Sequence, residues 1–190
     1  MLTIIVPTLD SERALVPTLA ALVSGATEGL VSEVLLADGG SQDDTAAIAD
    51  VTGCNVVRLA GSLGARLKAA AAAARAPWLL FMRPGTVLDP PWIGDARRFM
   101  ELIRGGERAA VFRRGASAGS PWREAFAQTM AALGAAPHPD HGLLISRQFY
   151  DALGGHDGNA ADPEADLIRR IGRRRIVRLT AAAHLASQDT

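Results

Sequence analysis

An apolar run, Val34-Leu35-Leu36-Ala37, passes directly into Asp38-Gly39-Gly40-Ser41-Gln42-Asp43-Asp44-Thr45, putting a carboxylate and two glycines where a strand gives way to a helix. At the carboxyl end of a parallel strand the backbone opens onto the crevice in which open α/β sheets bind ligands, and Asp38 is expected to face it. Gly39 and Gly40 let the chain turn through positive φ where needed. Ser41 and Asp44 have capping-box spacing, so a turn that does nothing but cap its helix accounts for the same residues. Farther along, Asp162, Glu164 and Asp166 flank Pro163 at a helix start, where the helix dipole favours carboxylates. His138, Asp140 and His141 could be read as a metal cluster, but their spacing fits no helical zinc motif and a Pro-rich loop explains them. His156 and His184 stand isolated. Gly61-Ser62-Leu63-Gly64 is too short for a dinucleotide fingerprint, and neither Gly-x-Gly-x-x-Gly nor a P-loop is present. Arg169, Arg170, Arg173, Arg174, Arg175 and Arg178 form a basic tract that could meet anionic lipid or a diphosphate, or simply be a solvated helix end.

Strands alternating with helices must position these groups, the pattern of a mostly parallel sheet covered by helices. Leu2 to Val6 predicts a buried strand, followed by caps at Asp10 and Ser11. The helix after them carries Leu19, Leu22 and Val23, with Pro17 in its first turn. A strand over Val34 to Ala37, a helix from near Asp43 and a strand over Asn55 to Leu59 follow. An Ala-rich helix with Arg66, Lys68 and Arg75 ends at Pro77, and Trp78 to Met82 reads as a central strand. The loop Arg83 to Thr86 and the pair Pro90-Pro91 precede a helix over Trp92 to Ile103, then a strand over Ala109 to Phe112. Expected beyond it are a helix from Pro121 to Leu133, a strand at Gly142 to Ser146 and a short helix closed by Gly154-Gly155. A helix opened by Pro163 and a strand over Ile176 to Leu179 complete the reading, with no internal repeat.

At 190 residues the chain suits one well-cored domain spanning 1–190. A hydrophobic share of 48%, a charged share of 21% and a formal net charge of zero argue against nucleic acid as a partner. Lys68 is the only lysine among 20 basic residues, a compositional bias. The lone cysteine, Cys54, forms no internal disulfide and suits a reducing cytoplasm. Leu2 to Val6 is too short for a signal-peptide core, and no run approaches the ~20 apolar residues of a membrane span, so membrane contact is expected to be peripheral if it occurs.

Taken together, several segments resemble family 2 glycosyltransferases, the inverting sugar transferases of the GT-A fold, and their compact bacterial branch in particular. Ile4-Ile5-Val6-Pro7-Thr8-Leu9-Asp10-Ser11-Glu12 is similar to the family's first strand and Pro-x-x-Asn-Glu-Glu turn, with Asp10 where Asn is usual. Asp38 to Thr45 is similar to its Val-Asp-Gly-Gly-Ser-x-Asp-Gly-Thr segment, with Asp44 replacing the last Gly. Arg66 sits like the family's Arg after the third strand, and His141 to Arg147 with Ala152 to Gly155 resembles the stretch before the catalytic helix. The resemblance implies a nucleotide pocket made by Pro7, Thr8, Asp10, Glu12, Asp38, Gly39 and Arg66, in which Asp38, an acceptor-only carboxylate, reads the base or ribose. Helix capping explains Asp10 and Ser11 equally.

The chain also departs from the family. Its Asp-x-Asp metal motif should follow the fourth strand, but here Met82-Arg83-Pro84-Gly85-Thr86 puts Arg83 and Gly85 at the acidic positions. Mg²⁺ or Mn²⁺, expected for the family, needs oxygen ligands, so no metal site is assigned and no cofactor is firmly implied. Asp89 marks the turn before Pro90. Either Arg83 replaces the cation, a guanidinium pairing with phosphate, or activity is lost and Arg83 is an ordinary loop residue. The family's Glu-Asp-x-Asp/Glu-Leu-x-x-Arg signature corresponds to Pro163-Glu164-Ala165-Asp166-Leu167-Ile168-Arg169-Arg170, with Glu164 at the position of the base and Asp162 the other candidate.

The resulting expectation is a GT-A domain that moves a sugar from a UDP- or GDP-type donor to an unidentified acceptor. Glu164, Asp166 and Arg83 form its catalytic set, and a homo-oligomer is compatible with the sequence. The alternative is a catalytically silent relative that binds a nucleotide, a sugar or a protein.

Overall fold

Each of the first four strands is a short apolar run ended by a polar or glycine-rich turn, and each is followed by a segment able to bury one apolar stripe. The computed structural model of the chain describes residues 1–103, 106–115 and 142–186. In chain order the elements are β1 (Leu2–Thr8), α1 (Glu12–Thr27), β2 (Val31–Asp38), α2 (Thr45–Thr52), β3 (Asn55–Arg58), α3 (Leu63–Ala73) and β4 (Trp78–Phe81). β5 (Thr86–Leu88), α4 (Trp92–Leu102), β6 (Ala109–Arg114), β7 (Leu143–Ser146), α5 (Arg147–Ala152), α6 (Pro163–Ile171), a 3₁₀ turn (Arg173–Arg175) and β8 (Ile176–Leu185) follow. The helix expected over 121–133 and the stretch holding His138, Asp140 and His141 lie outside the described residues.

The strands make one sheet in the order β3-β2-β1-β4-β7-β6-β8-β5. β3, β2, β1 and β4 run parallel, whereas β7 is antiparallel to both β4 and β6, β8 parallel to β6, and β5 antiparallel to β8. Strand order therefore reverses beside β1, between β2 on one side and β4 on the other. Such a switch point leaves a crevice at the carboxyl ends of the strands, here Thr8, Asp38 and Phe81.

Period-two alternation splits the strands between two cores. On one face Ile4, Val6, Leu36 and Leu80 pack with Leu15, Leu19 and Leu22 of α1 and with Trp92 and Phe99 of α4. On the other, Ile5, Leu35, Leu79 and Phe81 pack with Leu67 and Ala70 of α3, Phe149 and Tyr150 of α5, and Leu167 of α6. Three layers result, with β4 central as expected.

Several local expectations need correction. Pro17 lies inside α1 rather than in its first turn, because the helix already begins at Glu12. Val23 is exposed, at the margin of the stripe that Leu15, Leu19 and Leu22 bury. α2 starts at Thr45, two residues later than expected, and the Ser41–Asp44 capping box does not form. β5 falls in a stretch read as loop, and β8 continues to Leu185 instead of stopping at Leu179. Both errors have one cause. β5 is a three-residue strand, and Ala181, Ala182 and Ala183 carry little strand preference, so pairing between β5 and β8 supplies what propensity does not.

Candidate functional site

The loops after β1 and β2 cap each other. Asp10 accepts from the N–H of Gln42 at 2.7 Å, and Glu12 from that of Asp44 at 3.0 Å. In return Ser41 Oγ accepts from the Asp10 N–H (3.0 Å), Thr45 Oγ1 from Ser11 (3.1 Å) and Asp43 from Glu12 (2.9 Å). The N–H groups of Glu12 and Asp44 at the starts of the two helices are thus satisfied across the gap between the loops, while the Thr45 N–H donates locally to Asp43 Oδ1 at 3.0 Å. Asp10 holds φ of 47° to do so, a left-handed conformation that Asp tolerates better than most residues. Ser11, although at the N-cap position of α1, instead accepts from the Leu9 N–H.

Asp38 locks this double loop, and the expectation that it faces the crevice is corrected. It is 1% exposed. Oδ1 accepts from Thr8 Oγ1 at 3.1 Å and Ser41 Oγ at 2.5 Å, while Oδ2 accepts from the Gly40 N–H at 3.0 Å and from Arg58 Nε at 3.1 Å. Burial works against its charge, but the hydrogen bonds from Ser41, Gly40 and Thr8 outweigh it and hold the carboxyl below the usual aspartate range. What Asp38 offers the crevice is the shape of the turn.

Gly40 has φ of 100°, whereas Gly39 is glycine for another reason. A Cβ on Gly39 would lie 2.5 Å from Arg66 Nη1. The bare glycine lets that guanidinium pass beneath and donate to the Thr8 carbonyl at 2.8 Å. Arg66 Nε is buried with no partner. Pro7, Thr8, Asp10, Glu12, Asp38, Gly39 and Arg66 are thus brought together at one edge of the sheet.

Across the switch point, β4 delivers Arg83 and the start of α6 delivers Glu164. Asp162 caps α6, its Oδ1 accepting from the Ala165 N–H at 2.9 Å, and Pro163 follows in the first turn. Glu164, one residue farther on, is buried, and Arg83 donates to its Oε2 from Nε (2.9 Å) and Nη2 (2.6 Å). The sequence named both residues without pairing them. Asp166, expected in the same set, points elsewhere: it binds Arg169 at 2.5 Å and Arg170 at 2.7 Å. Those bonds, Arg170 foremost, hold its carboxyl below the usual range. Arg170 in turn donates to the carbonyls of Leu153 (2.6 Å) and Gly155 (2.7 Å), so Asp166 steadies the loop ahead of α6.

Gly85 occupies the position of the family's metal-binding aspartate with φ of 85°, its N–H donating to Ala14 O and to Thr18 Oγ1, both at 2.8 Å. With Arg83 ion-paired and Gly85 bare, the residues at the motif's acidic positions offer a divalent cation no side-chain oxygen, so the loop does not fit the group. Gly85→Asp is expected to lower stability by about 1–2 kcal/mol, the cost of a side chain in left-handed backbone, without conferring Mn²⁺-dependent nucleotide binding. Urea denaturation and calorimetry with and without Mn²⁺ check both parts. Asp89 does not stand alone at its turn: its Oδ1 pairs with His184 Nε2 at 2.7 Å, so His184 is not isolated either.

Nor is His156. Its N–H donates to Tyr150 Oη (3.0 Å), and the hydroxyl lies 2.9 Å from Nδ1. The ring stands edge-on to Phe81 at 4.7 Å. This knot joins the end of β4 to the loop that enters α6. Burial, then Arg170, pushes the His156 pKa down to about 3, and burial pushes the Tyr150 hydroxyl up to about 12. Native His156 is neutral while the unfolded chain takes up a proton below the ordinary value near 6.5. Its contribution to stability is therefore complete above that value and falls by up to about 1.4 kcal/mol per pH unit between 6.5 and 3. Urea denaturation across this range, repeated on His156→Phe, is expected to show a shallower pH slope in the variant.

A cleft of about 390 Å³ lined by Met1, Leu30, Pro77, Trp78 and Met100 opens at the amino-terminal edge of the sheet and shares no residue with the crevice. Among the described residues no group of three His, Cys, Asp or Glu is placed to hold a metal, and no helix is long and apolar enough to cross a membrane.

Solved structures share this architecture. S. aureus TarS, residues 1–349, superposes with a TM-score of 0.75 at 17% identity over 97% of this chain and 60% of that one. Its complex with UDP-GlcNAc gives 0.74 at 17%, over 100% of this chain and 59% of TarS. Glucosyl-3-phosphoglycerate synthase from Mycobacterium tuberculosis, in complex with Mn²⁺, UDP and glucosyl-3-phosphoglycerate, gives 0.68 at 18%, over 98% and 70%. The chain thus spans about three-fifths of TarS 1–349. No curated protein gives a sequence match. The fold is GT-A, as expected. The model of the family described as "Glycosyl transferase family 2" matches residues 3–161, so with this order of strands and this crevice the chain belongs to glycosyl transferase family 2.

Proposed function

We propose that the chain is an inverting glycosyltransferase that takes a nucleoside diphosphate sugar into the crevice at the ends of β1, β2 and β4. Pro7, Thr8, Asp10, Glu12, Gly39 and Arg66 surround the nucleotide, and Asp38 fixes the turn that receives it. Glu164 accepts the proton of an acceptor hydroxyl as that oxygen bonds to the anomeric carbon. The carbon–oxygen bond to the diphosphate breaks in the same displacement, and the nucleoside diphosphate leaves. Arg83 meets the charge gathering on the leaving group, the part a divalent cation plays elsewhere. A uridine donor is supported by the UDP and UDP-GlcNAc complexes of the structural neighbours, and a guanosine donor stays an arm of the test.

One observation carries this reading: a carboxylate on the first turn of α6 and a guanidinium at the metal-motif position lie 2.6 Å apart at the switch point. Calorimetric titration of UDP, GDP and their sugars in EDTA tests it. Binding that weakens at least about tenfold in Arg83→Ala is expected, the scale of a lost charge-assisted bond to phosphate. No nucleotide binding under any condition, Mn²⁺ included, contradicts it.

A further inference from the structure

The proposed reaction needs Arg83 and Glu164 to do different things, yet the fold holds them together. Two charge-assisted donors converge on Glu164 Oε2, and an oxygen so engaged is a poor recipient for an acceptor's proton. The partners differ in freedom. The Glu164 side chain is 8% exposed and sits on a capped helix start, whereas the Arg83 side chain is 36% exposed. The backbone beneath Arg83 is pinned, with Thr86 N–H donating to Arg83 O, Gly85 N–H to Ala14 O and Ala186 N–H to Gly85 O. Any exchange of partners must therefore come from rotation of the Arg83 side chain, not from movement of its loop. A diphosphate offers that guanidinium more charge and more acceptor oxygens than one carboxylate does.

Building on the reading that the donor's diphosphate lies beside the loop after β4, we infer that Arg83 is a counter-ion shared between Glu164 and the diphosphate. Without donor it ties down the base. A bound diphosphate draws it away and takes both guanidinium donors off Oε2, so that oxygen becomes able to take a proton beside a donor whose leaving group is already neutralised. Glu164 and the diphosphate thus compete for one guanidinium.

Competition has a sign that mere positioning does not share. Calorimetry with UDP, GDP and inorganic pyrophosphate in EDTA compares wild type, Glu164→Gln, Arg83→Ala and the double variant. Glu164→Gln is expected to bind the diphosphates roughly three- to tenfold more tightly, the worth of a part-exposed ion pair, and to bring no gain when Arg83 is already Ala. Wild type that binds UDP or GDP, with Glu164→Gln binding equally or more weakly, overturns the shared counter-ion and leaves the proposed function standing. Wild type that binds no nucleotide overturns both. Should Glu164→Gln fail to fold, the Nε–H resonance of Arg83 in ¹⁵N-labelled wild type, assigned by its loss in Arg83→Lys, is the readout. It is expected to shift when UDP is added, and an unmoved resonance at saturating UDP overturns the inference.

Discussion

Glu164→Gln should reduce sugar transfer by about 10²- to 10⁴-fold, the usual worth of a general base, without weakening donor binding. Gln keeps the length and much of the hydrogen-bonding capacity of Glu, and its carbonyl oxygen can still accept from Arg83 across the observed 2.6–2.9 Å. What it lacks is the basicity needed to take a proton. Steady-state kinetics then show a collapse in kcat with KM for the donor unchanged or lower. Asp166→Asn is the informative contrast. Asp166 is bound to Arg169 and Arg170, and Arg170 holds the carbonyls of Leu153 and Gly155, so its loss acts through the loop ahead of α6. A loss of stability larger than any loss of kcat is the expected pattern there. If Glu164→Gln kept wild-type kcat while Asp166→Asn did not, the roles given to the two carboxylates would be reversed.

Gly64→Ala, although it removes no charge and no hydrogen-bonding side chain, is expected to be among the most damaging single changes. A Cβ at this position in α3 would stand 2.1 Å from the carbonyl oxygen of Asp157 and 3.0 Å from Pro163 Cβ. The first obstacle is backbone, so no side-chain rotation relieves it. Ser62 next door reinforces the contact, its hydroxyl donating to Gly158 O at 2.6 Å. The start of α3 thus grips the segment that enters α6, one residue ahead of Glu164. Overpacking of this kind costs about 1–3 kcal/mol, and here the displacement is passed on to the base. Urea denaturation should show the loss, and transfer measured on the folded fraction should fall as well. Gly94→Ala in α4, where a Cβ meets nothing within 4 Å, should leave transfer unchanged and stabilise by up to about 1 kcal/mol, as Ala for Gly does inside a helix. Equal stability of Gly64→Ala and wild type would show that the grip between α3 and the loop is loose.

Much of the architecture was legible because strand and helix periodicities are local. The runs at Leu2–Val6, Val34–Ala37 and Trp78–Met82 read as buried strands, and their order with the intervening helices gave a mostly parallel sheet covered by helices, while the GT-A fold followed from the resemblance of the motifs at the strand ends to family 2 glycosyltransferases. The partnerships inside the site were much less legible. Asp10, Glu12, Ser41 and Asp43 are typical capping residues, and a sequence shows that they will accept from nearby N–H groups but not that each accepts from the other loop across 31 or 32 positions. Asp38 carries the same lesson. Its position at the strand end was readable, whereas its inward turn depends on Thr8 and Arg58 from neighbouring strands. Tyr150 and His156, only six residues apart, were a signal that could have been found. The pairing of Arg83 with Glu164 spans 81 positions and has no local signature at all.

The proposed crevice transfers a sugar with Arg83 and Gly85 at the acidic positions of the family's metal motif, the Arg83 guanidinium serving in place of a cation. Release of UDP or GDP from a panel of nucleotide sugars, measured in EDTA and again with Mn²⁺, tests it most directly. Release at the same rate in both conditions is expected, with loss of that release in Arg83→Ala. Turnover that is absent in EDTA and appears only with Mn²⁺ would contradict it.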